Sequence, residues 1–210
     1  MIFGGILAVI ASYFLGSVSS SILIGHMFGV EDIRKHGSGN AGSTNVLRTI
    51  GKKAAALTFV SDVLKGVIPI VVINLFWTQH KLLFMTCAGA AVVLGHIFPA
   101  YFGFKGGKGV ATSFGVVIAM SPCTGIWWIP LLLFGIWLVV VLITRYVSLA
   151  SVAVMALYPV VISVLFRGLP VFEYVNYIMF TAFIGVLSIF MHRKNIGRLM
   201  HGTESKIGKK

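Results

Sequence analysis

The sequence predicts an all-α integral membrane protein of about seven transmembrane helices, some of them short, with glycine-rich loops on the cytoplasmic side. Three observations carry this. Hydrophobic residues make up 58% of the 210 and charged residues only 10%, whereas a soluble domain carries about 25% charged residues. The apolar residues fall in long runs, several near the roughly 20 that a helix needs to cross the hydrocarbon core. The basic residues gather in short breaks between those runs. With 17 Lys and Arg against 5 Asp and Glu the net charge is +12. That balance in loops beside apolar runs sets orientation and binds anions at the membrane, and implies no nucleic-acid partner.

Residues 2–28 form the first span. It starts without a basic region and runs into a longer apolar segment, so it reads as a retained span and not a cleaved signal. Its Gly16, Gly25 and the serines Ser17, Ser19, Ser20 and Ser21 suit close helix packing. A polar loop, 31–53, follows, with Arg34, Lys35, Arg48, Lys52 and Lys53 against Glu31 and Asp32. Residues 54–77 form the second span. Asp62 and Lys65 lie three apart there, on one helical face. Ionisable groups at mid-span cost about 2.5 to 3.5 kcal/mol each on insertion scales, so the two face either a functional cavity or each other.

The third span, 82–101, ends in His96 and Pro99 and leads to a second glycine-rich basic loop, 102–113. Residues 110–143 are apolar but broken by Ser121, Pro122, Cys123, Thr124 and Gly125, a turn composition. Its 34 residues supply about 51 Å of helix where two crossings need roughly 60 Å. A pair of short helices, or one that does not fully cross, is expected. Spans at 149–166 and 174–191 and a basic tail, 192–210, complete one polytopic domain, 1–210, without linker or repeat. Cys87 and Cys123 show neither CxxC nor metal spacing and read as small buried apolar residues. Neither a metal nor a cofactor is expected.

With seven spans, the loops at 31–53, 102–109 and 144–148 and the tail share one side, which holds 14 of the 17 basic residues. Lys81 and Arg167 fall on the other side and Lys65 within a span. By the positive-inside rule the 14-charge side is cytoplasmic, with the N-terminus outside and the C-terminus inside.

Three constellations on that side carry chemistry. The first is His36 to Arg48, HGSGNAGSTNVLR, whose glycines can turn backbone N–H groups inward as an anion nest. It matches GxGxxG literally, but a dinucleotide fingerprint needs a preceding strand, and a membrane span stands there instead. The second is GFKGGKG, 103–109, which resembles a P-loop without its spacing. Backbone amides and a lysine still make a phosphate cradle. The third is HRKNIGR, 192–198, where His192 and Asn195 lie three apart with Arg198 one turn on.

Taken together, GSGNAGSTNVLR, the run from Gly95 to Ser113, the D-x-x-K-G of Asp62 to Gly66 and HRKNIGRL resemble the bacterial PlsY glycerol-3-phosphate acyltransferases. The likeness covers nearly the whole chain; Ala41 stands where many relatives carry proline, and the tail beyond Leu199 carries no motif. It implies transfer of a fatty acyl group from acyl phosphate to the 1-hydroxyl of glycerol 3-phosphate, giving lysophosphatidate and phosphate, at the cytoplasmic face of a bacterial inner membrane. It assigns phosphate and substrate contacts to Ser38, Gly39, Asn40, Asn45, Lys65, Gly106, Gly107 and Ser148, and catalysis to Arg48, Lys108, His192 and Asn195.

Histidine, titrating near neutrality, is the usual general base. His192 nevertheless sits among cations, without a carboxylate in its motif to steer it as a triad would. An acyl phosphate is activated, so a substrate phosphate oxygen can take the proton while protein groups supply position and charge. A phosphate transporter would call for inverted repeats and broken mid-membrane helices, which the sequence does not clearly show. A non-catalytic lipid-binding scaffold would need only the basic tail.

Overall fold

A computed structural model describes residues 2–165 and 170–208, so Arg167, Lys209 and Lys210 of the charge count lie outside the described residues. Every regular element described is helical. In order these are α1 (Ile2–Gly16), α2 (Ser20–Met27), α3 (Ser43–Thr49), α4 (Lys52–Phe76) and α5 (Lys81–Ile97). Then come α6 (Val110–Met120), α7 (Ile129–Thr144), α8 (Val147–Leu165), α9 (Val171–Met191) and α10 (Arg193–Met200). Among the described residues, five stretches are long and apolar enough to cross a membrane: Ile2–Met27, Lys52–Phe76, Lys81–Phe102, Val147–Leu165 and Val171–Met191. The two remaining apolar helices, α6 with 11 residues and α7 with 16, reach roughly 16 and 24 Å. The segment 110–143 is therefore a pair of short helices, one of the two outcomes its length allowed.

The first span departs from expectation. It is broken at residues 17–19, where short hydroxyl side chains compete for backbone partners: Ser17 Oγ donates to Tyr13 O at 2.9 Å. The helix stops at Gly16 and restarts at Ser20.

The chain divides into two compact units between Cys123 and Thr124, within the turn read from the sequence. In the first unit, glycines let helix backbones nearly touch. A Cβ on Gly16 of α1 would collide with Val92 O of α5, and one on Gly95 of α5 with Tyr13 O. α4 and α6 do the same: Gly66 rests on Thr112 O and Gly115 on Val63 O. Small-residue contacts of this kind bring membrane helices together where apolar burial against lipid supplies no driving force. The glycine of D-x-x-K-G is thus a packing residue. α4 also shows the lipid-facing pattern, since Leu57, Val60, Leu64, Ile68, Val71 and Leu75 are exposed at helical spacing. Thr58, Asp62 and Lys65 are buried on its other side.

In the second unit, Trp137 Nε1 donates to Ser151 Oγ at 3.3 Å, tying α7 to α8. The buried Tyr158 and Tyr177 hydroxyls meet at 3.0 Å between α8 and α9.

Candidate active site

The loop before α3 is built around one amide. Asn45 is 1% exposed; its Nδ2 donates to Ile33 O and His36 O, both at 3.0 Å, and its Oδ1 accepts from Ser38 N at 2.8 Å. Gly37 has φ +57°, and a Cβ there would strike Asn45 Oδ1. Gly39 N donates to His36 O at 3.0 Å. The amides of Ser38 and Gly39, read from the sequence as anion donors, are therefore spent on the loop's own shape. Ser38 and Gly39 remain exposed, as does Arg48 on the last turn of α3, while Asn40 is half-buried.

The second loop differs from its sequence reading in the same way. Gly106 N donates to Ile97 O and Gly107 N to His96 O, both at 3.1 Å. They satisfy carbonyls that the end of α5 would otherwise leave orphaned. Glycine is required for closeness: a Cβ on Gly106 would collide with His96 O, and one on Gly107 with His96 Nε2. The loop's lysines are the exposed Lys105 and the half-buried Lys108, the latter two residues before α6 begins.

Lys65 lies elsewhere in the unit's interior, 5% exposed. Its Nζ is 2.9 Å from Asp62 Oδ1 and donates to Val18 O at 2.9 Å. Val18 is in the break of the first span, so Lys65 supplies a donor where the helix ladder is interrupted. His96 Nδ1 stands 3.4 Å from the same Asp62 oxygen. Sequence spacing anticipated the Asp62 contact, but His96 as its second partner was missed. The clue was a histidine at the end of an otherwise apolar helix.

In the second unit the structure brings Ser148, Asn195 and Arg198 onto one carboxylate. Glu204 Oε1 accepts from Ser148 Oγ at 3.0 Å and from Asn195 Nδ2 at 2.8 Å, and Arg198 Nε donates to Oε2 at 2.7 Å. The tail beyond Leu199 therefore carries the residue that ties the start of α8 to α10. The missed signal was a lone acid, one of five in the chain, in an otherwise basic tail. His192 stands three residues before Asn195. The buried imidazole has Nδ1 2.8 Å from Ser188 O; a carbonyl only accepts, so Nδ1 carries hydrogen and Nε2 is the basic nitrogen of the neutral ring.

Burial pushes the Glu204 carboxyl up, but hydrogen bonds from Arg198, Asn195 and Ser148 outweigh it and hold it below its ordinary value. A depressed folded value contributes stability above the unfolded value of about 4.5 that is lost as pH falls through the folded one. Thermal unfolding in detergent should show the wild type losing stability across this acid interval. Glu204→Gln should be less stable at neutral pH and lack that acid-dependent step; parallel pH curves for the two proteins would contradict the assignment.

Comparison with known proteins agrees over nearly the whole length. A family model described as glycerol-3-phosphate acyltransferase matches residues 6–202. The glycerol-3-phosphate acyltransferase of Alkaliphilus metalliredigens is 44% identical over 206 residues, 98% of this chain and 97% of its own. That of Halalkalibacterium halodurans is 43% identical over 209 residues, with 98% and 97% covered. Among solved structures, the glycerol 3-phosphate form of PlsY (YgiH), an integral membrane glycerol 3-phosphate acyltransferase, superposes with a TM-score of 0.85 at 42% identity, covering 98% of this chain and 96% of that one. Its lysophosphatidic acid form gives 0.83 at 41% identity, with the same coverage. This chain belongs to the glycerol-3-phosphate acyltransferase family.

Proposed function

We propose that residues 1–210 act as one membrane acyltransferase domain that moves a fatty acyl group from acyl phosphate to the 1-hydroxyl of sn-glycerol 3-phosphate, the first step of phospholipid synthesis. The observation that carries this reading is the solved relative, 42% identical and similar over 98% of this chain, described in a form with glycerol 3-phosphate and in one with lysophosphatidic acid. Acceptor and acyl product on one closely similar fold specify the bond that is made. Acyl phosphate as donor rests on the sequence resemblance and on the supply of cations for two phosphates.

In the reaction, the hydroxyl oxygen attacks the acyl carbonyl carbon, the bond from that carbon to the phosphate oxygen breaks, and the proton leaves with inorganic phosphate. Arg48 and Lys108, with the Ser38 hydroxyl and the Asn40 side chain of the first loop, meet the phosphate anions by hydrogen bonds, while Gly39 shapes that loop. Asn45, Gly106 and Gly107 act by shaping those loops, and Lys65 by holding the first span. His192 orients the acceptor hydroxyl through Nε2, and Glu204 joins Asn195 to Ser148. A phosphate oxygen of the substrate receives the proton. The reaction runs at the cytoplasmic face of a bacterial cytoplasmic membrane, with the N-terminus outside and the C-terminus inside, in keeping with the basic loops.

The test is purified protein in lipid with palmitoyl phosphate and labelled glycerol 3-phosphate, and acyl-CoA in parallel. Labelled lysophosphatidate from acyl phosphate alone supports the reading. Labelled solute crossing liposomes without product would replace it with a transporter. His192→Ala is expected to slow turnover by more than a few-fold while the pH profile keeps its limbs near neutrality. Loss of one limb together with activity would make His192 the general base.

A further inference from the structure

The geometry points to Arg34 as a positioning residue that sets the second glycine-rich loop from the first, and so places Lys108. This rests on the reading that Lys108 meets a substrate phosphate. The hydrogen bonds of Arg34 cross from one loop to the other. Its Nη1 donates to Phe102 O at 2.7 Å and to Lys105 O at 3.2 Å. Its remaining edge is held by Asp32: Nε lies 3.0 and 3.1 Å from the two carboxylate oxygens, and Nη2 is 2.9 Å from Oδ2.

Asp32 also accepts from Arg34 N at 2.9 Å, so the side chain is fixed at both its root and its tip. The hydrogen bond from Arg34 holds the Asp32 carboxyl below its ordinary value, and the pair stays ionised through the neutral range. With its charge matched by Asp32 and one edge turned to carbonyls, this guanidinium works as a staple, in a geometry that an ammonium does not reproduce.

The stapled segment needs holding. Gly103 has φ +65° and Phe104 φ +58°, the second a left-handed backbone that an aromatic residue adopts only at a cost. Phe104 is 61% exposed, so packing of its ring does not offset that cost. The carbonyls flanking this turn, Phe102 O and Lys105 O, are the two that Arg34 collects. Immediately after it, Gly106 and Gly107 are fixed to the end of α5. Gly107 also approaches the first loop, since a Cβ there would lie 2.8 Å from Ala41 O. Lys108 thus leaves a segment defined from two directions, one being Arg34.

The experiment measures kcat, both KM values and thermal unfolding for the full-length protein in detergent, as wild type, Arg34→Lys, Arg34→Gln, Asp32→Asn and Lys108→Gln. Arg34→Lys and Arg34→Gln should raise KM by about tenfold or more, the scale of one lost charged hydrogen bond. The affected substrate should be the same one that Lys108→Gln affects, with kcat changed less and the unfolding temperature close to wild type. Asp32→Asn should move KM in the same direction, which keeps the proposal open to refutation if both Arg34 variants fail to fold. Unchanged KM values in the folded variants, a rise for the other substrate, or a fall in kcat alone would overturn it. A wild-type protein inactive with acyl phosphate would instead overturn the proposed reaction.

Discussion

Arg48→Ala and Lys108→Ala are each expected to lower kcat/KM by about 10² to 10³, roughly 2.7 to 4 kcal/mol of transition-state stabilisation by analogy with losing one oxyanion donor. Three other cations are engaged with carboxylates. Arg34 is matched by Asp32 at 2.9 Å, and Lys65 is enclosed with Asp62 inside the first unit. Lys35 stands beside Glu31 at 3.4 Å, both exposed. The glycine amides that would have shared the anion's charge are bonded to Ile97 O, His96 O and His36 O. In the proposed reaction the phosphates meet the exposed Arg48 and the half-buried Lys108. The check is the initial rate of labelled lysophosphatidate formation across both substrate concentrations, with thermal unfolding alongside. Loss of rate at unchanged stability is expected, and rates within a few-fold of wild type would remove these residues from the phosphate sites.

The membrane helices were legible because length and apolarity are read locally: a run of about 20 apolar residues has few other fates. The short pair α6 and α7 was legible by the same arithmetic. The break at 17–19 was not, because serines in an apolar run suit packing and chain interruption equally, and the donor that meets Val18 O lies 47 residues away. At the site, residue types pointed to two glycine-rich loops, and the structure adds what each atom bonds to. Gly106 and Gly107 have the composition of an anion nest, yet their N–H groups close α5. Asn45 looks like a contact residue, yet its amide is the loop's frame. Arg34 read as one charge among many that set topology, because its carbonyl partners lie 68 and 71 residues on. Glu204 was passed over as a tail residue; its partner Ser148 is 56 residues before it. Local pattern reports propensity and chemistry, while partners of this kind exist only once distant segments have packed.

Lys65→Met should be the most damaging single change to folding, lowering stability by about 3 to 5 kcal/mol, the scale for removing one partner of a buried pair. The side chains of Lys65 and Asp62 are 6% and 2% exposed, with 2.9 Å between Nζ and Oδ1. Removing the ammonium leaves the Asp62 carboxylate with His96 alone and takes the donor from Val18 O, in the break of the first span. Both losses act in the same direction. The double variant Asp62→Leu/Lys65→Met removes both charges together, and well-packed apolar replacements of a buried ion pair are often neutral or stabilising. It should therefore unfold at a higher temperature than Lys65→Met in the same detergent, although it carries one more substitution. Additive losses, with the double variant the least stable, would show that the pair is not the unit that matters here. Activity supplies a second reading: Lys65 Nζ is engaged by Val18 O and Asp62, so whatever fraction of the double variant folds should bind glycerol 3-phosphate with a KM near that of the wild type.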